Sequence, residues 1–556
     1  MVNDAKCQVY APRDTTDLSA LPAQLLGARG ARLQGVKSLG VPIGTDDFVL
    51  ERLHDIVKDA TDLLLAIQEL DAPQEAHLLL VWCAQPRVQY ILRGCEPELC
   101  VLAMRTYHQR IMATMAGYEA GVLRGPPFDW AAAALAALPP SMGGGGLLRG
   151  ERVADAAFVG SFALVWSQVL RLFGDAIETE ALTTATPGVG VLGAVKVAHG
   201  RIAAEAVETL RLINQLPENS TLPNGMYAKP EDPLKPLIPA LADMRTRPVR
   251  KAQQELSRVA SSLDYLLLRE KVQEEGLRTQ AWLASVTSPT SIGGDFMRCI
   301  PSYAPLQLSP TLFARAGRLH YMQPQMDPTW PIQCYRCLGG VDAEGTHYLA
   351  CRPAKEHCLG TPMIRSHDAV KRVLARCLRE VYHGNGRVKE EDRHSGGSPR
   401  HIPDITVRDH DHEDGTLLVE VSHIRPFAPK HLSNAAVGTA VAKWERHRRN
   451  KHYPTLPTGY TMVPFIFDVF GALGPESAKF LNGLAATMKE LGASGERGEA
   501  LTLRRGETWG GQWKCRLSMT LAREMARTIH ERIAVESSGA TPHDRNPAYV
   551  RQNYRR

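Results

Sequence analysis

The chain has 556 residues, 44% of them hydrophobic and 22% charged, with a formal net charge of +6. That is too long for one ordinary core and too apolar for a disordered chain, so several folded units of roughly 150 residues are expected. The weak positive balance permits a nucleic-acid partner without demanding one, and no apolar run approaches the roughly 18 residues a membrane helix needs.

The opening MVNDAKCQVYAPRD lacks the basic and apolar parts of a secretory signal, so an intracellular location is expected. Residues 1–35 carry no clear pattern. Val36–Phe48 reads as a short strand and a turn. From Val49 to about Leu123 apolar residues recur at helical spacing, with Ile56, Ala60, Leu63, Leu64 and Ile67 on one stripe. PPSMGGGG (Pro139–Gly146) breaks the pattern. Helical character resumes near Glu151 and runs to about Val286, interrupted at Pro217–Gly225 and Pro230–Pro239. No internal repeat is present. After about Ser288, Pro, Cys, His and Arg become common and strand-like runs appear, so the main functional boundary falls near residue 330. His383–His401 is a polar, Gly-rich loop. Ser433–Arg449 reads as a helix, with Ser433 as its N-cap and Pro454 beyond its end. Ser518–Val535 reads as an amphipathic helix followed by a polar, frayed tail.

The 11 cysteines are odd in number and mostly scattered, which is no disulfide framework, but four of them fall close together. Cys334, Cys337, His347 and Cys351 form C-x2-C-x9-H-x3-C. Zinc takes four such ligands in a tetrahedron, and a CxxC turn supplies two of them. His357 and Cys358 are spare candidates for the fourth place. With all four positions filled by protein, the zinc expected here is structural.

A second constellation uses hard ligands. Pro403-Asp404-Ile405-Thr406-Val407 and Leu417–Ser422 read as strands, joined by a polar connector. If they form a hairpin centred on His412, Asp404 and Glu420 stand opposite each other on one face. Two like charges there are unfavourable unless neutralised. A Mg²⁺ or Mn²⁺ ion would neutralise them, lower the pKa of a bound water and stabilise a phosphate under attack. Nearby, the run from Lys443 to Tyr453 is strongly basic. Arg446, Arg448 and Arg449 are candidate phosphate contacts.

Asp404, Glu420 and a downstream lysine together resemble the restriction-enzyme-like nuclease superfamily, whose pattern is a PD dipeptide followed by an E-x-K strand. Here Glu420-Val421-Ser422 has serine where lysine is expected. In the retrotransposon branch of that superfamily the lysine is displaced to the following helix, near a tyrosine. The resemblance therefore implies Lys443 or Lys451 as catalytic residues with Tyr453 beside them, and Arg449 could fill the place instead. Cys334–Cys337 and His347–Cys351, followed by Arg365-Ser366-His367-Asp368, are similar to the cysteine/histidine motif and R-H-D/N helix start that precede this nuclease in non-LTR retrotransposon reverse transcriptases. Met462–Ser477 is similar to the strand and turn after its basic helix. Ala281–Pro289 and Ile300–Pro310 are similar to the linker leading into the zinc motif. Val36–Gly44 is similar to the end of a polymerase palm, and PPSMGGGGLL to part of a thumb or linker. The paired aspartates of a polymerase core are not found, because Asp46-Asp47 follows the motif it would have to precede. No polymerase activity is expected.

These readings imply a multidomain α and α/β protein: a helical N-terminal region, a small zinc knuckle, then a mixed-sheet restriction-endonuclease-like α/β domain. Residues 1–130 are expected to hold a palm end and thumb-like helices, 131–330 a helical linker region, 331–362 the knuckle, 363–490 the endonuclease domain, and 491–556 a helix and tail. The expected function is metal-dependent nicking of a DNA target site in the nucleus, with element RNA as a second candidate partner and no membrane. The alternative is a catalytically inactive, nucleic-acid-binding remnant or domesticated protein.

Overall fold

The computed structural model of the chain describes residues 34–123, 128–173, 187, 190–218, 220–227, 238–241, 251–326, 333–334, 337, 339–351, 362–382, 387–393, 402–410, 415–493 and 508–537. The opening residues, the spare ligands His357 and Cys358, the hairpin connector and the tail lie outside the described residues.

The expected first strand is a hairpin. Strands β1 (Gly35–Ser38) and β2 (Val41–Gly44) pair antiparallel, with Ser38 opposite Val41. Leu39 and Gly40 both have positive φ, 48° and 89°, as a two-residue turn that follows the sheet twist requires. Helix α1 (Asp46–Gln68) starts directly after it, where the Thr45 hydroxyl accepts from the Phe48 N–H. Its buried stripe is Val49, Leu53, Val57, Ala60, Leu64 and Ile67, at helical spacing; Ile56 and Leu63 sit at the stripe's edge.

The middle of the chain is helical as expected. The longer helices are α2 (Pro97–Leu123), α3 (Gly150–Phe173), α4 (Gly190–Asn214), α5 (Ala252–Glu275), α6 (Leu277–Val286) and α7 (Pro310–His320). Arg152 of α3 ties this bundle together by pairing with Glu205 of α4 and Asp264 of α5. A short helix α8 (Thr346–Ala350) follows, then α9 (Pro362–Val381). The main cluster of buried side chains runs from Val49 to Ile533, across both expected boundaries near 130 and 330.

The C-terminal part carries a four-stranded mixed sheet in the order β3 (Val388–Glu390), β4 (Ile405–His410), β5 (Gly415–Ile424), β6 (Tyr460–Asp468). β5 and β6 are parallel and the other pairs antiparallel. Alternation along the strands gives the sheet two apolar faces. Val419, Val421, Phe465 and Phe467 join the main core with Val370 and Leu374 of α9 and Leu481 of helix α12 (Pro475–Ala493). Ile424 and Ile466 face the other way, against Ala435 of helix α10 (Pro429–Ala436) and Ala440 and Val441 of helix α11 (Ala440–His452).

The single helix expected over Ser433–Arg449 is therefore two. Gly438, at φ +74°, adopts the left-handed conformation that ends α10 and lets α11 leave in a new direction. Ser433 is not a cap but an exposed residue inside α10. The C-terminal helix is longer than expected. As α13 (Trp509–Ser537) it starts nine residues before Ser518 and straps α9 to the linker. Trp513 and Arg516 both donate to Glu380, at 2.7 and 2.6 Å, and the Ser518 hydroxyl accepts from the Phe296 N–H. Trp513 is fully buried, so truncating it would cost about 3–5 kcal/mol.

Candidate functional site

Two clusters carry chemistry. The first is local. Cys334 N–H donates to Gly339 O at 2.9 Å, and the Gly339 N–H donates to Cys337 Sγ at 3.4 Å, which closes a tight knuckle around the CxxC pair. Helix α8 then returns His347, and Cys351 follows its end. The four ligand atoms of Cys334, Cys337, His347 and Cys351 all lie within 4.8 Å of one another. The Cys334 and Cys351 sulfurs are 3.5 Å apart, and Cys337 Sγ is 3.2 Å from His347 Nε2. Zinc–sulfur bonds of 2.3 Å in a tetrahedron put neighbouring ligands about 3.8 Å apart, so this Cys₃His set could hold a zinc ion.

The turn leading into α8 is set by Asp342. Its carboxylate accepts from the Thr346 and His347 N–H groups, each at 2.7 Å, and pairs with Arg278 of α6 at 3.0 Å. Burial raises the Asp342 carboxyl, but Arg278 and those N–H donors outweigh it and hold the group below its ordinary value. Arg278 also lies over the Phe427 ring, 4.8 Å from its centroid. The knuckle is thereby tied both to the linker and to the segment after β5.

The second cluster is assembled from distant pieces. Ile405 pairs with Val419 and Val407 with Leu417. The paired register ends at Ile405 and Val419, with Asp404 the residue just before β4 and Glu420 the residue just after Val419; a bulge between Arg408 and His410 lies at the other end. Glu420 and Ser422 share the face of β5 that α11 covers, between Leu418 and Ile424.

β5 has no β4 partner beyond Val419. Side chains take the place of the missing strand. The Val421 N–H donates to Asp404 Oδ2 at 2.8 Å, and its carbonyl faces His367 Nε2 at 3.1 Å. His367, in the second turn of α9, also lies 3.3 Å from Asp404 Oδ1, and its Nδ1 lies 3.0 Å from Asp368 Oδ1. Carboxylate and carbonyl oxygens only accept, so both ring nitrogens carry protons. Burial pushes the His367 pKa down, but the Asp404 and Asp368 carboxylates push it up harder, to about 9. Lys371, one turn on, is buried between Glu391 and Asp368, and Asp404 contributes to its raised pKa.

The cation that reaches Glu420 comes from α11, and it is Arg448. Its Nη1 lies 3.6 Å from Glu420 Oε1, and its Nη2 donates to the Ser422 hydroxyl at 3.1 Å. A guanidinium thus reaches the very residue that stands where E-x-K would have its lysine. Helix phase explains the choice. Trp444, Arg448 and His452 form an i, i+4 stripe: Trp444 Nε1 also donates to Ser422 Oγ at 3.1 Å, and His452 meets Arg448 at 3.0 Å. The neighbouring stripe holds the helix to β6 and α12. There Glu445 accepts from the Ser477 N–H at 2.9 Å, and Arg449 pairs with Glu476 and donates to Met462 O.

The other proposed cations are elsewhere. Lys443 is exposed and donates to Asn434. Lys451 and Arg446 are exposed. Arg449 is paired with Glu476. Tyr453 is buried beside Leu418 and Met462; burial, then the charges of Glu420 and Asp404, raise its phenol well above the ordinary value. It is therefore within the field of both acids. Among the described residues the Cys₃His set is the group of three or more acid, histidine or cysteine side chains that converges on one point.

Sequence reasoning set Arg448 among the phosphate contacts and gave His367 and Asp342 no role. A helical-phase comparison with the residues that anchor α11 would have picked out Arg448. Nothing short of the tertiary fold brings His367 to Asp404. No helix among the described residues is long and apolar enough to cross a membrane. Compared with models of known families and with curated proteins, the chain matches none.

Proposed function

We propose that the chain is the nuclease-bearing part of a non-LTR retroelement protein and nicks DNA with a divalent metal ion. What supports the reading is that the β4–β5 register, which pairs Ile405 with Val419, would set Asp404 against Glu420 if continued by one residue, and that the guanidinium of Arg448 lies on Glu420 and on Ser422. Bound there, Mg²⁺ or Mn²⁺ would supply an acidified water and neutralise charge on the phosphate under attack. The rest falls to the chain's own groups. Asp404 and Glu420 would hold the ion, with Asp404 fixed at both oxygens by Val421 N–H and His367. Arg448 would swing from Glu420 to the scissile phosphate. Its guanidinium keeps its proton, so it can hold developing charge but cannot take the water's proton. Zinc on the Cys₃His set would be structural, since it has no open position for substrate.

The test is nicking of supercoiled plasmid with Mg²⁺ or Mn²⁺. Glu420→Ala and Asp404→Ala are each expected to abolish nicking while DNA binding stays largely intact, because phosphate contacts and metal chemistry are separate contributions. Nicking by Glu420→Ala at the wild-type rate refutes the reading. An inactive wild-type chain that still binds DNA would favour the remnant.

A further inference from the structure

Asp404 has a partner at each carboxylate oxygen. A carboxylate turns about two side-chain bonds, and a hydrogen bond at each oxygen removes that freedom. Here Oδ2 receives the Val421 N–H at 2.8 Å and Oδ1 faces His367 Nε2 at 3.3 Å. His367 is itself held from behind, with Asp368 on Nδ1 at 3.0 Å, and anchored in front by the Val421 carbonyl at 3.1 Å. Three acceptors on two ring nitrogens leave the imidazole one orientation. Asp368 lies about a third exposed, so it is not needed as buried scaffolding.

We infer that His367, oriented by Asp368, is a positioning residue that sets the Asp404 carboxylate for divalent-metal binding. The inference rests on the nuclease reading, because it supposes that Asp404 is a metal ligand. Hydrogen bonds that orient a ligand carboxylate typically change metal affinity 10–100-fold when removed. His367 also caps the unpaired end of β5, so a purely structural role is the rival. The two differ in what the metal titration reads.

The experiment uses the full, zinc-loaded chain. Mn²⁺ binding is measured by calorimetry, and plasmid nicking is followed as a function of Mn²⁺ concentration, for wild type, His367→Ala, His367→Gln, Asp368→Asn and Glu420→Ala. His367→Ala should raise the Mn²⁺ needed for half-maximal nicking at least tenfold, with the rate at saturating metal much less affected. His367→Gln, whose amide N–H can approach Oδ1, should recover most of the affinity. Asp368→Asn should give an intermediate shift with an unchanged melting temperature, and it serves if His367→Ala fails to fold. An unshifted metal dependence in both His367→Ala and Asp368→Asn overturns the inference, as does a loss in His367→Ala that tracks its melting temperature and is not recovered by glutamine. If Glu420→Ala leaves Mn²⁺ binding and nicking intact, the nuclease reading falls and this inference with it. If Glu420→Ala loses both and the His367 and Asp368 variants lose neither, only the inference falls.

Discussion

The knuckle and the proposed carboxylate pair would be opposite solutions to holding a metal. The knuckle draws four ligand atoms from 18 residues of chain, Cys334–Cys351, and brings them all within 4.8 Å. Nothing is left over for a substrate. The two carboxylates draw on β5, α9, α11 and the residue just before β4, and each acid already has a cationic neighbour: His367 for Asp404 and Arg448 for Glu420. Under the proposed nuclease reading that arrangement would exchange its partners for an ion and a phosphate, whereas the knuckle would only be full or collapsed. A closed site is built for stability and an open one for turnover.

The largest effect should separate the two by stability. Structural zinc contributes on the order of 10 kcal/mol to the folding of small domains. Cys337→Ser, or stripping by a strong chelator, should therefore melt the knuckle. Hydrogen exchange over 341–351 should rise by several orders of magnitude, and protection of the last turns of α13 should fall, since Tyr348 is hydrogen-bonded to Glu536. Zinc content should drop from about one per chain to none. Glu420→Ala should move neither quantity. Unchanged exchange in a chain shown to be zinc-free would mean that the four ligands are merely packed thiols and an imidazole.

Next comes the cation at the open site. Removing one group that stabilises transition-state charge typically costs 10²–10³-fold in rate. Arg448→Ala should slow nicking by about that factor, while Arg449→Ala should stay within a few-fold because Arg449 is spent on Glu476. Arg448→Lys should recover only part, since one ammonium cannot reproduce the fork that now meets Glu420 and Ser422. Equal losses at 448 and 449 would mean that the basic helix acts as a diffuse phosphate face and that Arg448 has no special place.

The same contrast governs what the sequence revealed. Cys334, Cys337, His347 and Cys351 are legible because their spacing already implies a turn and a return. The β4–β5 register, with Ile405 opposite Val419, is legible for the same reason: a hairpin is a local object, and its register follows from a count of residues. The choice among Lys443, Arg448, Arg449 and Lys451 is not local. It depends on the phase of α11, which Glu445 and Ser477 set across 32 residues of chain. The break at Gly438 that reorients α11 is a single residue inside a convincing helical pattern. His367 is further still from any spacing rule. It reaches Asp404 only because β5 outruns its partner strand and leaves Val421 to be satisfied by side chains. The extra length of α13 was hidden because its first turns, Trp509–Leu517, bury one tryptophan and spend an arginine on Glu380 without a clean apolar stripe.

The smallest effect concerns how the open site meets a polyanion. Each phosphate neutralised by a cationic side chain releases condensed counterions, so the logarithm of affinity falls with the logarithm of salt by close to one power per contact. Arg446 is exposed on α11, whereas Arg449 is engaged in an ion pair that DNA would first have to break. Arg446→Ala should therefore weaken DNA binding modestly, evenly across sequences, and flatten the salt slope by about 1. Arg449→Ala should flatten it less. Cys337→Ser, measured where the rest of the chain remains folded, should leave the slope alone if the knuckle only supports structure. A slope that falls with the knuckle and is indifferent to Arg446 would put the DNA on the zinc side of the molecule, and would reverse the assignment of which site is closed and which is open to substrate.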